Sequence, residues 1–189
     1  MNRERMGCWV LDLLEGKTVN LRIMEKEDLP LLADWLNNPQ NIGEFNPLHQ
    51  RSKMEVEKNF EKRSFEQTEF IIEKKDGTKI GNILHFTHPM TNVLEIGTFL
   101  IPSERGKGYA VEATHLILDY LFLSKNIVRI QAGTQAENIA SQKALEKCGF
   151  TKEGIHRKEM FNRGKWVDIC IYSILREEWK EPKILTKTA

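Results

Sequence analysis

The chain has 189 residues, of which 40% are apolar and 29% charged, and its 28 lysines and arginines nearly balance its 27 acidic residues, leaving a formal net charge of +1. So small a net charge provides no basic field to neutralise phosphates, which argues against nucleic-acid binding as the main activity. No apolar run approaches the about 20 residues that cross a bilayer, and Asp12 and Glu15 interrupt any signal-peptide core. We therefore expect a cytoplasmic protein of one globular domain, residues 1–189, without a nucleic-acid or membrane partner.

The three cysteines, Cys8, Cys148 and Cys170, are an odd number and form no C-x-x-C pair. This pattern matches neither a disulfide framework nor the ligand spacing of a zinc site, so we expect reduced packing residues and no metal. Cys148 as a nucleophile is the alternative. It would end a predicted helix, where the helix dipole disfavours a thiolate.

Hydrophobic periodicity and turn dipeptides divide the chain into alternating strands and helices. Residues 17–24 (KTVNLRIM) alternate polar and apolar side chains, as a half-buried strand does. Asp76-Gly77 favours positive φ at both positions and so predicts a tight hairpin. In chain order we predict a strand at 17–24, helices at 26–37 and about 52–67, strands at 68–75, 79–88 and 93–101, a helix reaching about 125, a strand at 127–132, a helix at 137–147 and strands at 150–159 and 166–175.

The resulting order, βααβββαβαββ, combines strands joined by hairpins with strands joined through helices. Such an order predicts an α/β (α+β) fold with a mixed, mostly antiparallel sheet covered by helices on both faces. The domain core spans about 17–179, with a short extension at 1–16 and a frayed tail at 181–189.

The stretch most informative about function lies between the strand that ends at Pro102 and the long helix. Glycines there permit a tight turn, and the unpaired amides of the first helical turn favour a phosphate or pyrophosphate. The spacing fits neither G-x-G-x-x-G nor a Walker loop. The alternative is a helix start that happens to contain glycine. The stretch consists of Arg105, Gly106, Lys107, Gly108, Tyr109 and Ala110, and its two basic side chains would add to the preference for anions.

This pattern, R-x-x-G-x-A after an apolar strand, resembles the signature of the GNAT superfamily of acyl-CoA-dependent N-acetyltransferases. Further stretches are similar to its RimJ/RimL-like branch, which acetylates protein N-termini and small amines, and together they cover about residues 17–179. These stretches are Leu21-Arg22, Glu27-Asp28-Leu29, Glu95-Ile96-Gly97, Glu137-Asn138-x-x-Ser141, the run 145–150, Asp168-x-x-x-Tyr172-Ser173 and Glu178-Trp179.

The resemblance implies a GNAT fold whose fourth and fifth predicted strands splay apart to hold acetyl-CoA, the cosubstrate. Its pantetheine arm would pair with main-chain groups near Phe99, Leu100 and Ile101, and its pyrophosphate would bind the amides of residues 105–110. Asn138 resembles the asparagine that reaches the pantetheine in this family. A helix N-cap is its other role, and both roles are compatible.

The resemblance also implies how the acetyl group is transferred. The amine attacks the thioester directly, without an acyl-enzyme. The main-chain amide of Leu100 stabilises the oxyanion, and Ser141 protonates the departing thiolate. Glu95 resembles the carboxylate that removes the amine proton directly or through a water, and a surface carboxylate on an alternating strand is its alternative reading.

Three histidines compete with Glu95 for the role of base, because a histidine titrates near neutral pH. They are His85, His88 and His156. Residues three apart on a strand face opposite sides, so a shared metal at His85 and His88 is disfavoured.

For the acceptor, the resemblance favours a protein or peptide N-terminal α-amine, with a small-molecule amine such as a polyamine, amino sugar or antibiotic as the alternative. A non-catalytic acyl-CoA-binding module is a third reading. Trp35, Phe45 and the loop from Asn37 to Gln50 are candidates to line the acceptor pocket. The edge strands and the final hairpin would allow pairing into a homodimer.

Overall fold

The computed structural model describes residues 13–63, 67–88, 93–179 and 182. Two short 3-10 turns, Lys26–Asp28 and Pro102–Glu104, precede α1 and follow β5. The strands and helices of the described part are β1 (Leu13–Glu15), β2 (Val19–Ile23), α1 (Leu29–Asn37), α2 (Pro39–Ile42), α3 (Lys53–Glu61), β3 (Thr68–Lys74), β4 (Lys79–Thr87), β5 (Leu94–Leu100), α4 (Tyr109–Ser124), β6 (Arg129–Gln135), α5 (Ile139–Lys147), β7 (Thr151–Asn162) and β8 (Lys165–Leu175).

The strands form one sheet in the order β1-β2-β3-β4-β5-β6-β8-β7. Neighbouring strands are antiparallel, with the exception of β5 and β6, which are parallel. A parallel pair needs a crossover connection, and α4 provides it between these two strands. The predicted mixed, mostly antiparallel sheet is confirmed.

Helices cover both faces of this sheet, as predicted. On one face α4 is buried along most of its length, with Leu116, Ile117 and Leu121 inaccessible to solvent among the apolar side chains of β2 to β6 and β8. On the other face α1 and α3 form a second cluster, which includes Trp35 and Val56. The two faces of β5 therefore point into different environments.

Differences from the predicted elements concern short segments. β1 pairs with β2 within the stretch that was expected to be a short extension, and α2 occupies part of an expected loop. Ser52 is the N-cap of α3, and its side chain and that of Glu55 cap the first turn reciprocally. The helix ends at Glu61, before the predicted 67. In the β3–β4 turn only Gly77 has positive φ, because the loop carries a bulge instead of the predicted two-residue turn.

β7 forms one edge of the sheet, and its pairing with β8 shifts register twice, between Lys152 and Gly154 and between His156 and Met160. Bulges of this kind oppose strand pairing between molecules. Homodimer formation through this hairpin stays a prediction. Among the described residues, no helix is both long enough and apolar enough to cross a bilayer.

Candidate active site

The central feature of the site is a gap between β5 and β6. These parallel strands pair only at Leu94 with Ile130 and at Glu95 with Gln131. Beyond that point β5 continues its pairing with β4 through Leu100, and β6 continues its pairing with β8 through Gln135. The facing edges of the two strands therefore diverge toward their C-terminal ends, as the resemblance implied.

Main-chain groups of Leu100 face this gap. The amide of Ile101 donates to the carbonyl of Ile80 at 3.0 Å, so residue 101 pairs toward β4. Successive residues of a strand direct their pairing groups to opposite sides, so those of Leu100 point away from β4. The Leu100 carbonyl accepts instead from Nε of Arg105 at 2.9 Å.

The main-chain groups of Phe99 and Ile101 have partners within the protein. Phe99 pairs with Asn82 of β4, and its ring lies 5.9 Å from that of Trp35. The Ile101 carbonyl accepts from the amide of Glu104 at 3.0 Å. Of the three residues expected to offer their main chain to a pantetheine, Leu100 is thus the one whose groups face the gap.

The loop after β5 leads into α4 through two glycines in left-handed conformations. Gly106 has φ +76° and Gly108, which precedes the first residue of α4, has φ +89°. Both values favour glycine over any other residue. Among the described residues, a Cβ built on either would meet nothing within 4 Å, and no side chain caps the helix start. The first-turn amides, which include those of Tyr109 and Ala110, are therefore presented to a ligand without a competing cap.

The two basic side chains of this loop have protein partners. Arg105 donates from Nε to Leu100 and from a terminal nitrogen to the carbonyl of Asn41, and burial lowers the pKa of its guanidinium. Lys107 contacts Glu104 at 3.1 Å and remains half exposed. The side chain of Arg105 is therefore used to hold two main-chain carbonyls, a role that the motif did not indicate.

Across the gap, the start of α5 lies just beyond the end of β6. The Oδ1 atom of Asn138 accepts from the amide of Ser141 at 3.1 Å, which makes Asn138 the N-cap of α5. Ser141 is half-buried in the first helical turn. Asn138 therefore has the N-cap role that the sequence left open, and Ser141 lies on the β6 side of the gap.

Glu95 lies at the last paired rung, where the gap begins. Its Oε1 atom is 3.9 Å from the position that a Cβ on Gly133 would occupy, so its carboxyl group lies against β6 on the sheet face that α1 and α3 cover. Burial raises the pKa of Glu95, His88 opposes the shift, and the nearby Glu159 carboxylate adds to it. A carboxylate of raised pKa accepts protons more readily than an exposed one.

The histidines differ in position. His85 is fully buried and points to the α4 face, where its ring lies 6.5 Å from that of Tyr120, so it is on the opposite face from Glu95. Burial lowers the pKa of His85 to about 4. His156 is exposed and pairs with Glu159 at 2.9 Å. Because His85 lies on the sheet face opposite Glu95, it is unsuitable as the base.

Several remaining predictions concern packing and metals. Trp35 is buried in the α1 and α3 cluster, and its lining of an acceptor pocket stays a prediction. Cys148 is buried, its Sγ lies 3.6 Å from the carbonyl of Val111, and burial raises its pKa to about 12, which is unsuitable for a nucleophile. Within the described ranges no group of three or more candidate side chains is arranged to hold a metal ion.

The sequence does not indicate how the segment 41–45 is held in place. This segment runs from the end of α2 into the loop before α3. Its main-chain carbonyls accept hydrogen bonds from side chains on both sides of the gap, among them Arg105 after β5 and Gln135 at the end of β6. The partners are about 60 to 120 residues away along the chain, so no local pattern indicates these bonds.

Comparison with known proteins assigns this fold and gap to a family. Residues 18–151 match the acetyltransferase (GNAT) domain family. The chain is 31% identical over 176 residues to the uncharacterized N-acetyltransferase p20 of Bacillus licheniformis, covering 89% of this chain and 99% of that protein. It is 27% identical over 162 residues to the spermidine N(1)-acetyltransferase of Escherichia coli, covering 82% and 86%.

A solved structure agrees with this assignment. The spermidine N-acetyltransferase of Vibrio cholerae, in complex with CoA and spermine, superposes with a TM-score of 0.78 at 25% identity and covers 87% of this chain and 99% of that one. The fold is that of an acyltransferase. The chain belongs to the GNAT acetyltransferases, and it is an N-acetyltransferase. Membership of the RimJ/RimL-like branch stays a prediction.

Proposed function

We propose that this N-acetyltransferase moves the acetyl group of acetyl-CoA directly to a small cationic primary amine. The observation that carries the proposal is the divergence of β5 and β6 after the Glu95 rung, with main-chain groups of Leu100 facing the gap. An amide-rich pantetheine arm can pair with such strand groups, while the phosphates bind the amides at the start of α4.

The reaction joins the amine nitrogen to the thioester carbonyl carbon and breaks the bond from that carbon to sulfur. Glu95 takes the proton that the amine loses, directly or through one water, because its half-buried carboxyl group has a raised pKa. The amide of Leu100 donates to the oxyanion of the tetrahedral intermediate. Ser141, in the first turn of α5, passes a proton to the departing CoA thiolate and regains one from solvent water, and Glu95 releases the amine proton to solvent.

Charge supports a cationic acceptor. The Glu159 carboxylate is close enough to raise the pKa of Glu95, and it lies on β7, beside the residues that face the end of β6. Two carboxylates on this side of the gap favour an amine with more than one positive charge. The relatives named for spermidine acetylation support the same class. A protein or peptide N-terminal α-amine is the second candidate, and the motif resemblance supports it.

The test is release of the CoA thiol from acetyl-CoA against spermidine, spermine, aminoglycosides, amino sugars and N-terminal peptides, with product masses measured. We expect release with polyamines at an acetyl-CoA concentration that saturates the enzyme. Release with the peptides instead would overturn the acceptor class and favour the second candidate. Silence with every amine would contradict the proposed reaction for this whole set of acceptors.

Two variants separate the roles within this reaction. Ser141→Ala should lower kcat more than it weakens acetyl-CoA binding if the hydroxyl protonates the thiolate. Equal losses in both would make Ser141 a cosubstrate contact only. Asn138→Asp retains a capping oxygen for the Ser141 amide, so it should keep the fold while testing whether the amide nitrogen of Asn138 contributes to acetyl-CoA affinity.

A further inference from the structure

The second half of β7 contains a bulge that faces a single residue of β8. Two pairs of the ladder flank it: His156 pairs with Ile169, and Met160 pairs with Val167. Residues 157–159 of β7 therefore stand opposite one residue of β8, where a regular antiparallel ladder has one residue on each strand. The two extra residues form a bulge, and a bulge of this kind can change the sheet face that a side chain occupies.

Asp168 is the β8 residue opposite the bulge, and its side chain holds the bulge. Its Oδ1 atom accepts from the main-chain amide of Lys158 at 2.8 Å. Lys158 has φ +50°, in the left-handed region that disfavours residues with a side chain, so its conformation depends on such a contact. The main-chain carbonyl of Asp168 accepts from the amide of Ala136 at 2.9 Å, just beyond the end of β6. Asp168 thus joins the bulge to the strand that borders the gap.

A regular β7 would direct Glu159 away from the gap. Counted back from the Met160 pair, Glu159 would stand opposite Asp168 and share its sheet face. Asp168 is two residues from Cys170, which packs in the core beneath α4, so this is the face that α4 covers. Glu95 lies on the other face. Without the two extra residues, Glu159 would therefore be separated from Glu95 by the sheet.

In the structure Glu159 lies on the Glu95 face. Its Oε2 atom is 2.9 Å from Nδ1 of His156, and His156 shares a face with its pairing partner Ile169. The Cγ2 atom of Ile169 is 3.3 Å from the position that a Cβ on Gly133 would occupy, and Oε1 of Glu95 is 3.9 Å from that position. The bulge therefore turns the Glu159 carboxyl group onto the face where Glu95 begins the gap.

The Glu159 carboxyl group is accessible to a ligand. Its side chain is 44% exposed, and that of its partner His156 is 58% exposed. An ion pair between exposed groups is weak, and a histidine carries a charge only when it is protonated. An aliphatic ammonium group is charged throughout the neutral range. Such a group can therefore replace His156 as the partner of Glu159.

We propose that Glu159 binds a second ammonium group of the acceptor and that Asp168 is the positioning residue that keeps Glu159 on this face. The proposal rests on the proposed function, since it takes a polyamine as the acceptor. The nitrogen that reacts lies at Glu95, and a further ammonium group of the same molecule reaches Glu159 in place of His156. Residues 157 and 158 are basic and exposed. The orientation of the bulge thus decides which sign of charge the acceptor meets.

The first test compares spermidine with butylamine, a competitor that has one ammonium group. Glu159→Gln should raise the KM for spermidine by about fivefold, the usual effect of an exposed ion pair. The inhibition constant of butylamine should stay within about twofold of wild type. The matched control is Glu153→Gln, which removes a carboxylate of the same strand that pairs with Arg129 at the start of β6. It should show the wild-type value for both amines. An unchanged KM in Glu159→Gln, or an equal change for both amines, would overturn the binding role.

The second test uses two variants of Asp168. Asp168→Ala removes the acceptor of the Lys158 amide and should raise the KM for spermidine about as much as Glu159→Gln does, with a smaller change in kcat. Asp168→Asn removes the same charge but keeps an acceptor oxygen, so its KM should stay within about twofold of wild type. Asp168→Ala should add little to Glu159→Gln, because both act through one contact. Fully additive effects, or an equal KM in the alanine and asparagine variants, would overturn the positioning role.

The third test does not need turnover. Hydrogen exchange at the Lys158 amide, followed by NMR, should be about tenfold or more faster in Asp168→Ala than in wild type, and near the wild-type rate in Asp168→Asn. The amide of Gly77, which donates to Lys74 in the β3–β4 turn, is the internal control and should exchange equally in all three proteins. Equal rates at Lys158 would show that Asp168 does not hold the bulge.

These tests separate the inference from the proposed function. If wild type acetylates none of the amines, the proposed function fails, while exchange at Lys158 still decides whether Asp168 holds the bulge. If wild type acetylates spermidine and Glu159→Gln leaves its KM unchanged, the proposed function stands and the role of Glu159 is wrong.

Discussion

The Nε atom of Arg105 donates a 2.9 Å hydrogen bond to the carbonyl oxygen of Leu100, the residue whose main-chain amide we place at the oxyanion. The same guanidinium holds the carbonyl of Asn41. The arginine of the signature therefore joins the end of β5 to the segment 41–45. Its contact with a phosphate stays a prediction.

Arg105→Lys should accordingly impair the reaction more than it impairs acetyl-CoA binding. A lysine keeps the charge but cannot span two carbonyls with a planar fork. We expect kcat/KM for the amine to fall by about tenfold or more, with a smaller change in the Kd of acetyl-CoA. Steady-state kinetics and calorimetry measure the two. A loss confined to acetyl-CoA affinity would return Arg105 to a phosphate-binding role.

Gly108→Val should weaken acetyl-CoA binding by about 100-fold or more, because the new side chain occupies the space in which backbone amides approach the phosphates. Strain is a separate effect, since φ is +89° at this residue. Gly77→Val is the matched control: it has φ +84°, its Cβ also meets nothing within 4 Å, and it lies in the β3–β4 turn.

Both glycine variants should lose a similar stability, of about 1 to 2 kcal/mol, as expected for a side chain in the left-handed region. Thermal unfolding measures this loss, and calorimetry measures the affinity. Wild-type affinity in Gly108→Val, or an equal loss of affinity in Gly77→Val, would contradict the assignment of the phosphates to the start of α4.

Glu95→Gln should lower kcat by about 100-fold, the usual contribution of a positioned base, and should remove the acid limb of the pH–rate profile. The ionised carboxylate is the active form, so the wild-type rate falls as the pH drops through the pKa of Glu95. Glu159→Gln removes a like charge that raises this pKa. The acid limb of the pH–rate profile of Glu159→Gln should therefore move to lower pH. A limb that stays in place in Glu95→Gln would assign the base to another group.

His85 should make the protein lose stability in mild acid. Its pKa is about 4 in the folded chain against 6.5 unfolded, so the neutral ring is favoured by folding. The neutral ring makes its full contribution to the free energy of unfolding above pH 6.5. This contribution is lost as the pH falls toward 4, because the unfolded chain then binds a proton that the folded chain excludes.

This loss in the free energy of unfolding amounts to at most about 3 kcal/mol. Among the described residues neither ring nitrogen of His85 has a hydrogen-bond partner, so His85→Phe removes the titrating group without breaking a bond. Urea unfolding between pH 7 and pH 4 should show a flatter stability curve in this variant. His49→Gln, at an exposed loop position, is the control and should retain the wild-type slope. Equal slopes in all three proteins would contradict the role of His85.

The sequence predicts the main elements of this fold because their signals are local. Alternation over 17–24 located β2, and the Pro102 boundary with Gly108 located the start of α4. β1 has three residues and α2 has four, too few for periodicity to identify. Their stability comes from partners elsewhere, such as the rungs between β1 and β2.

The site was predictable to a different extent on its two sides. The cosubstrate side follows from one contiguous motif, since positive φ at Gly106 and Gly108 and the helix start belong to neighbouring residues. The position of the segment 41–45 depends instead on bonds between residues far apart, such as Gln135 to Phe45 and Asn162 to Glu44, which are separated by 90 and 118 positions. Amide side chains bond main-chain carbonyls of any residue type, so such pairs have no sequence signature.

The same long separations determine when the segment 41–45 is held in place during synthesis. Local contacts arise early, whereas a contact over 118 positions waits until both partners have left the ribosome. A nascent chain that ends before Asn162 already contains β5, α4 and α5, but it lacks Asn162 and Arg163, two of the four side chains that bond the carbonyls of the segment 41–45. This segment is therefore fully held only after the β7–β8 hairpin has emerged.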